Sequence, residues 1–173
     1  MSASRRNRVA GWVLTLAVCA AAVTAVSVYG FNALNPGPRQ PIPFSHRIHA
    51  GTKDLSCFFC HNSALRSSNA GMPPVEKCLL CHNVIASNWE PIARIRKYYD
   101  RGESIPWVRV NRVPDFVRFS HQAHLAAKID CGHCHGNVKA MDRITPSPNL
   151  KMGFCVHCHK SRKATVDCYT CHY

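Results

Sequence analysis

The chain has 173 residues, a formal net charge of +13, 11 cysteines and 11 histidines. This length allows one ordinary domain with an appendage, and it excludes an enzyme with two domains and a cofactor fold of its own. Ten of the cysteines fall into five C-x-x-C pairs, each followed at once by histidine, so the composition points to metal or haem chemistry.

The first predicted element is an apolar helix near the N-terminus. Three arginines precede a run from Val9 to Tyr29 that contains no charged residue. At helical rise a run of this length spans about 30 Å, the thickness of a bilayer core. We therefore predict that residues 1–34 are a cytoplasmic tip and a single-pass anchor in a bacterial inner membrane. The arginines place the N-terminus in the cytoplasm and the remainder of the chain in the periplasm.

A cleaved signal peptide is the alternative reading of this segment, because small residues near Val23 could form a cleavage site. We expect a retained anchor. Cys19 lies where a lipoprotein acceptor could stand, but Val18 is bulky where a small residue is needed. We predict that Cys19 is an apolar side chain in a membrane helix.

Five C-x-x-C-H motifs follow this segment, a spacing typical of c-type haem attachment. Two thiols one helical turn apart reach the two vinyl groups of a porphyrin, and the adjacent histidine binds the iron on the proximal side. The sequence therefore predicts five haem c groups. The attaching cysteines are Cys57, Cys60, Cys78, Cys81, Cys131, Cys134, Cys155, Cys158, Cys168 and Cys171, and the proximal ligands are His61, His82, His135, His159 and His172.

Zinc ribbons and disulfides are the alternatives for these cysteines. The pairs at Cys57 and Cys78 match a zinc-ribbon spacing. Zinc does not explain why histidine follows every pair or why the pairs are odd in number. Disulfides have no use for the histidines. Haem attachment is therefore the interpretation that we favour.

A repeated element supplies candidates for the distal iron ligands. Phe44–His49 and Phe119–His124 both read F-S-H-x-x-H, and each lies shortly before a haem motif. Two histidines three residues apart lie on one helical face, yet they diverge enough to serve two haems. We predict that His46 binds the first haem and that His121 binds the third. The second and fourth haems are left to His49 and His124, in an order that the sequence leaves open.

The fifth haem has no evident distal ligand. Met141 and Met152 are candidates, and a thioether would raise the potential of that haem above that of its bis-histidine neighbours. His133 and His157 lie between the cysteines of their own motifs, so each could reach only a neighbouring iron. Packing methionines and exposed histidines are equally consistent with the pattern.

Between the motifs, the sequence divides into three segments. We predict a two-haem half over 35–82, a haem-free linker or docking segment over 83–118, and a three-haem half over 119–173. The whole fold is expected to be mostly helical and irregular, with short helices and with the haems as its core.

The linker is predicted to contain one helix and one strand. Ser87 or Asn88 could cap a helix that runs to about Tyr99 and ends at Gly102. Its apolar face would be formed by Ile92, Ile95 and Tyr99. Trp107–Val110 alternates in the manner of a strand. The segment could pack over the haems or dock on a partner subunit.

The positive charge is not read as a nucleic-acid surface. The exported part carries a net charge of about +10 without its haems, and each haem with ionised propionates adds about −1 when ferric and −2 when ferrous. The loaded domain therefore carries about +5 when oxidised and about 0 when reduced. Guanidinium groups match carboxylates well, so propionates explain much of the arginine excess. No nucleic-acid partner is expected.

The stretch from Phe119 to His172 resembles the trihaem class III cytochromes c, because F-S-H-x-x-H precedes three haem motifs within a short distance. That resemblance implies few regular elements and haems as the core. In that family another histidine precedes the middle motif. Residues 143–154 contain none, and this leaves the fifth distal ligand open.

A resemblance over nearly the whole chain is to the pentahaem cytochrome c subunit of alternative complex III. It is carried by the N-terminal anchor, Pro43–His46, Ile105–Val110, Pro114–Val117 and Met152–Cys155. The resemblance implies membrane partners: an iron-sulfur subunit related to molybdopterin oxidoreductases and polytopic quinol-binding subunits. It implies a monohaem cytochrome c or a blue copper protein as the acceptor.

These inferences predict an electron-transfer subunit, not an independent catalyst, which passes electrons from a membrane quinol-oxidising complex through five haems to a periplasmic acceptor. With both axial positions filled on most irons, little room remains for substrate. The alternative is a membrane-anchored quinol dehydrogenase that feeds a periplasmic reductase. It would need a quinol pocket within this chain and one five-coordinate haem. A reductase with that open haem is a third reading.

Overall fold

A computed structural model describes residues 3–34, 37–146 and 150–173 of the chain. They divide into two compact units, one containing the N-terminal helix and the other running from Gly37 to Tyr173. The first unit is a single helix, α1 (Ala3–Leu34).

Within α1, Arg8–Gly30 is long and apolar enough to cross a membrane, by length and composition. A signal sequence near an N-terminus has the same properties. The hydroxyls of Thr15 and Thr24 donate to the carbonyl groups four residues earlier, so these polar groups are satisfied inside the helix. The apolar side chains along it are exposed, among them Trp12 and Val26.

The second unit consists of short helices joined by irregular segments. The helices are α2 (Cys57–Cys60), α3 (Val75–His82), α4 (Glu90–Asp100), α5 (His121–Ala126), α6 (Cys131–His135), α7 (Met152–Ser161) and α8 (Cys168–Cys171). A π-helical segment covers Arg47–Thr52, and 3-10 turns cover Asn62–Leu65 and Val138–Ala140. The predicted fold class, mostly helical and irregular, is confirmed.

The apolar core lies in the first part of this unit, where α3 packs against α4. Its buried residues are Ile42, Val75, Leu79, Ile92, Ile95 and Ile105. Among the residues that the structure describes, no hydrophobic side chain after Ile105 is buried. Residues 119–173, predicted to be the three-haem half, therefore have no apolar core of their own in the described part, which is the condition expected of a segment that folds around a large cofactor.

Helix α4 differs in detail from the predicted linker helix. It begins at Glu90 with Trp89 as the N-terminal cap, not at Ser87 or Asn88, and Pro91 occupies its first turn, where the fixed φ of proline suits a helix start. The helix ends close to the predicted position. Its last residue is Asp100, and Gly102, with a φ of 64°, has the left-handed backbone that commonly follows a helix end. Tyr99 does not belong to the buried face, because its side chain is 49% exposed.

The predicted strand at Trp107–Val110 is wrong. In the described ranges the structure has no strand, and the sole β-type pairing there is an isolated bridge between Val117 and His172. The side-chain amide of Gln40 instead donates to the carbonyl of Val108 and accepts from its N–H, at 3.0 and 2.8 Å. One side chain thus satisfies backbone groups that a neighbouring strand would otherwise pair.

Candidate haem sites

Three of the five haem motifs lie at the starts of short helices, whereas the second ends α3 and the fourth lies within α7. Polar residues directly before the first cysteine begin three of these helices: Ser56 before α2, Asp130 before α6 and Asp167 before α8. Each side chain accepts a hydrogen bond from a backbone N–H of the first turn, the usual role of an N-terminal cap. The two cysteines of a motif are thereby held one helical turn apart.

The ring orientation of six motif or repeat histidines is set by a backbone carbonyl. The Nδ1 atom lies 2.6–2.9 Å from that carbonyl oxygen in each ring. Because a carbonyl can only accept, Nδ1 carries the proton and Nε2 keeps its lone pair for a metal. The pairs are His49 with Ser45, His61 with Gly71, His82 with Ile85, His121 with Ser68, His124 with Ser120, and His159 with Thr165.

Three distal candidates lie opposite three proximal histidines. The ring centroids are 6.0 Å apart for His49 and His82, 6.3 Å for His121 and His135, and 6.0 Å for His124 and His159. Two metal–nitrogen bonds of about 2 Å, together with the half-widths of two imidazole rings, require a centroid separation of about 6 Å. The spacing of these pairs therefore suits two axial ligands on one iron.

The two copies of the F-S-H-x-x-H element have nearly the same geometry. Phe44 is edge-on to His46 and stacks on His49, with centroids 4.9 and 4.3 Å away. Phe119 is edge-on to His121 and stacks on His124, at 4.8 and 4.7 Å. In both copies the phenylalanine limits rotation of the second imidazole, whose Nδ1 is already bonded to the serine carbonyl.

The environment of His46 favours a neutral ring. Burial, followed by the charges of the neighbouring His61 and His49, lowers the pKa of His46 to about 4. Neutral imidazole is the form that binds metal. The Nδ1 atom of His46 is buried without a hydrogen-bond partner, unlike that of His49.

The motif cysteines are partly shielded from solvent. Burial is the main cause that raises the pKa of five of them, Cys60, Cys78, Cys131, Cys134 and Cys155. All eleven cysteines are free of disulfides. Across the described ranges, no three His, Cys, Asp or Glu side chains converge into a group that could hold a metal ion. The donor set is that of paired thiols beside an imidazole, which suits covalent haem.

The four candidates for the fifth distal ligand lie in different surroundings. His133 is exposed, with Nε2 3.6 Å from the sulfur of Cys158. His157 is exposed on α7, and Met152, at the start of that helix, is 66% exposed. Met141 is half-buried, and its sulfur lies 4.0 Å from the Thr145 hydroxyl. The choice among them stays a prediction.

The proximal candidate of the fifth site has an aromatic neighbour. The ring of Phe116 stacks on His172 with centroids 5.7 Å apart. The bridge between Val117 and His172 fixes the backbone beside it. This arrangement resembles the phenylalanine contacts of His49 and His124, so Phe116 restrains the rotation of His172.

The sequence analysis missed one residue of the third site. Asn111, in the segment predicted to be free of metal ligands, places its side-chain amide nitrogen 3.2 Å from Nδ1 of His135. An amide offers both a donor and an acceptor, so its oxygen can accept from Nδ1–H once the group is turned over. No local pattern marks Asn111, because the contact joins residues far apart in the chain.

Two comparisons with known proteins agree with the haem motifs. Residues 117–173 match the family described as cytochrome c7 and related cytochrome c. The chain is 28% identical over 160 residues to the multiheme cytochrome c subunit of menaquinone reductase from Nitratidesulfovibrio vulgaris, covering 77% of this chain and 76% of that protein. Together with the five C-x-x-C-H motifs, these matches make the chain similar to multihaem cytochromes c, and its C-terminal part similar to cytochrome c7.

Proposed function

We propose that the chain is a five-haem electron-transfer subunit of a membrane complex that oxidises or reduces a quinone. The observation that carries the proposal is the set of three facing imidazole pairs. Each joins a motif histidine to a repeat histidine at 6.0–6.3 Å. Haem iron with two imidazole ligands supplies one-electron oxidation and reduction without an open site for substrate.

The pairs support one set of distal ligands. His49 serves the second haem with His82, His121 serves the third with His135, and His124 serves the fourth with His159. His46 serves the first haem with His61, which lies close enough to lower its pKa. The fifth haem has His172, with its distal ligand among the candidates named above.

The protein groups around the sites position and tune the irons. A carbonyl that accepts from Nδ1–H makes the imidazole a stronger donor to the metal, which stabilises the ferric state. Phe44 and Phe119 keep two of the distal rings in one orientation. The thioether links retain the cofactor whatever the oxidation state of the iron, as a subunit that is repeatedly reduced and oxidised requires.

The relative supports the quinone partner. Its name assigns it to menaquinone reductase, and this chain covers about three quarters of it. That name describes electrons that enter the quinone pool, whereas the sequence predicts flow from quinol to a periplasmic acceptor. A chain of haems conducts in both directions, and the potentials of the partners set the direction. We infer an inner-membrane anchor through α1, a haem domain in the periplasm, and partner subunits that hold the quinone site.

The proposal is tested on the complex purified from membranes. Intact mass should show the polypeptide plus five haems, and a menaquinol analogue should reduce the haem absorbance of the complex but not that of the separated subunit. Reduction of the separated subunit by quinol would favour the quinol-dehydrogenase alternative. Electron paramagnetic resonance of the oxidised subunit should then also show a high-spin iron. A colourless protein with alkylatable thiols would refute haem binding.

A further inference from the structure

The two haem-binding halves meet at the first and third sites. The backbone N–H of His121 and its Nδ1–H both donate to the carbonyl of Ser68, just after the first motif, at 3.1 and 2.8 Å. The next residue, Gln122, donates its backbone N–H to the carbonyl of Ser67. The distal candidate of the third site is therefore held by the loop that follows the first site.

A second set of contacts joins the same two sites. Lys139 pairs with Asp54 at 2.7 Å, and Arg47 pairs with Asp142 at 2.9 Å. A Cβ atom on Gly51 would collide with the carbonyl oxygen of Lys139, so the backbones touch at this glycine. The thiol of Cys57, the first cysteine of the first motif, lies close enough to that of Cys131, the first cysteine of the third motif, to add to the rise that burial causes in the pKa of Cys131.

Inside each half, one short helical segment carries two histidines that serve two neighbouring sites. His46 and His49 flank one turn, and His49 lies opposite the proximal histidine of the second site. His121 and His124 lie on α5 and face the third and fourth sites. His133 of the third motif also contacts Cys158 of the fourth motif.

The fifth site adjoins the fourth. Arg118, next to the phenylalanine that stacks on His124, donates its backbone N–H to the carbonyl of Cys171 at 2.8 Å. The Cys171 and Cys155 thiols are close enough to interact electrostatically. The fifth motif is thus tied to the segment that positions the distal ligand of the fourth.

From these contacts we infer that the five attachment sites form a line in the order second, first, third, fourth, fifth, which is not their order in the sequence. The inference rests on the proposed function, since it requires haem at all five motifs. The second and fifth sites are the ends of the line, where electrons enter and leave. The first site is the junction between the halves, and the second site has no direct connection to the third.

The order is tested by removing one site at a time from the full-length protein. Cys19→Ser removes the thiol outside the motifs, and Tyr173→Cys, at a side chain that is 80% exposed, allows a ruthenium photosensitiser to be attached beside the fifth site. After each flash the sensitiser passes one electron to a ferric iron, and a sacrificial donor reduces it again. Haem absorbance at low protein concentration counts the irons reduced within one molecule.

Two matched variants give opposite expectations. With the first site removed by Cys57→Ala and Cys60→Ala, all remaining haems but one should be reduced rapidly, because the second site is cut off. With the second site removed by Cys78→Ala and Cys81→Ala, all remaining haems should be reduced rapidly. The reverse pattern would mean that the sites follow sequence order, and it would overturn the inference while leaving electron transfer intact. If, in the labelled protein with all five sites intact, electrons stop at the fifth site, that result would refute both the proposed function and the proposed order of the sites.

A second measurement needs no removal of a site, should a variant fail to fold. Nuclear Overhauser effects between haem substituents of the unmodified, reduced protein report which rings are neighbours. Cross-peaks are expected between the first and third haems, next to Cys57 and Cys131. Cross-peaks that join the second and third haems, with none between the first and third, would overturn the proposed order.

Discussion

The guanidinium of Arg47 and the carboxylate of Asp142 lie 2.9 Å apart and connect the two segments that are predicted to be the haem-binding halves. Asp142 also accepts a hydrogen bond from the hydroxyl of Ser45 at 2.6 Å, within the first F-S-H-x-x-H element. A pair of surface charges thus restrains the turn that carries two distal ligand candidates. Its position, beside Met141 and close to the third motif, makes it part of the junction between the halves.

Asp142→Asn should lower the melting temperature slightly near neutral pH. The hydrogen bond to Arg47 is the main cause that lowers the pKa of Asp142, followed by the hydrogen bond from Ser45. A lowered carboxyl pKa stabilises the fold above the ordinary aspartate value of about 3.9, and this contribution disappears as the pH falls through the lowered pKa. Melting curves between pH 3 and pH 7 should therefore converge in acid. Asp115→Asn, at an exposed linker residue, is the control, and a constant difference at every pH would contradict the assignment.

His121→Ala should leave haem attached at Cys131 and Cys134 and should convert one iron to the five-coordinate, high-spin state. The reason is that the ring of His121 faces that of His135 at 6.3 Å, and in the proposed function it would supply the second nitrogen ligand to that iron. Electron paramagnetic resonance of the oxidised protein measures the change, and intact mass verifies that the haem count is unchanged. The matched variant Gln122→Ala, at the exposed neighbouring position of α5, should leave the third iron low-spin. An unaltered spectrum of the first variant would refute the pairing.

Asn111→Leu should raise the reduction potential of the third haem. Leucine is close to asparagine in size but offers no acceptor to Nδ1–H of His135, so the imidazole becomes a weaker donor to iron. A shift on the order of 60 mV corresponds to a tenfold change in a one-electron equilibrium. Spectroelectrochemistry should show one component displaced upward with all irons still low-spin. If every component moved together, a general structural change would be the better explanation.

Ile92→Ala should reduce the free energy of unfolding by about 3 kcal/mol, the usual cost of a cavity in a packed core. Ile92 is 2% exposed, at the centre of the contact between α3 and α4. Chemical unfolding followed by far-ultraviolet circular dichroism gives the change. Lys97→Ala, on the exposed side of the same helix, should change stability by about 0.5 kcal/mol or less. Equal losses in both variants would mean that this cluster does not stabilise the fold.

The local features of this protein follow from sequence spacing. The five motifs can be recognised in the sequence because C-x-x-C-H places two thiols and an imidazole within one helical turn, whatever the fold of the rest of the chain. The apolar run at the N-terminus predicts a helix because no charge interrupts it. The start of α4 was placed wrongly because Pro91 and an extended Trp89 determine it, not a capping hydroxyl. The prediction of a strand at Trp107–Val110 is wrong because the side chain of Gln40, far away in the chain, forms hydrogen bonds with the backbone N–H and carbonyl of Val108.

The sequence by itself determined which residues form the haem motifs and that two F-S-H-x-x-H elements precede them, since both are short-range patterns. Tertiary structure decided that His49 faces His82 and that His124 faces His159, an order that the sequence left open. It also brought Asn111 to His135 and the first site to the third. Those relationships depend on how separate segments pack against one another. The spacing of residues along the chain does not determine the contacts between segments that are far apart in the sequence.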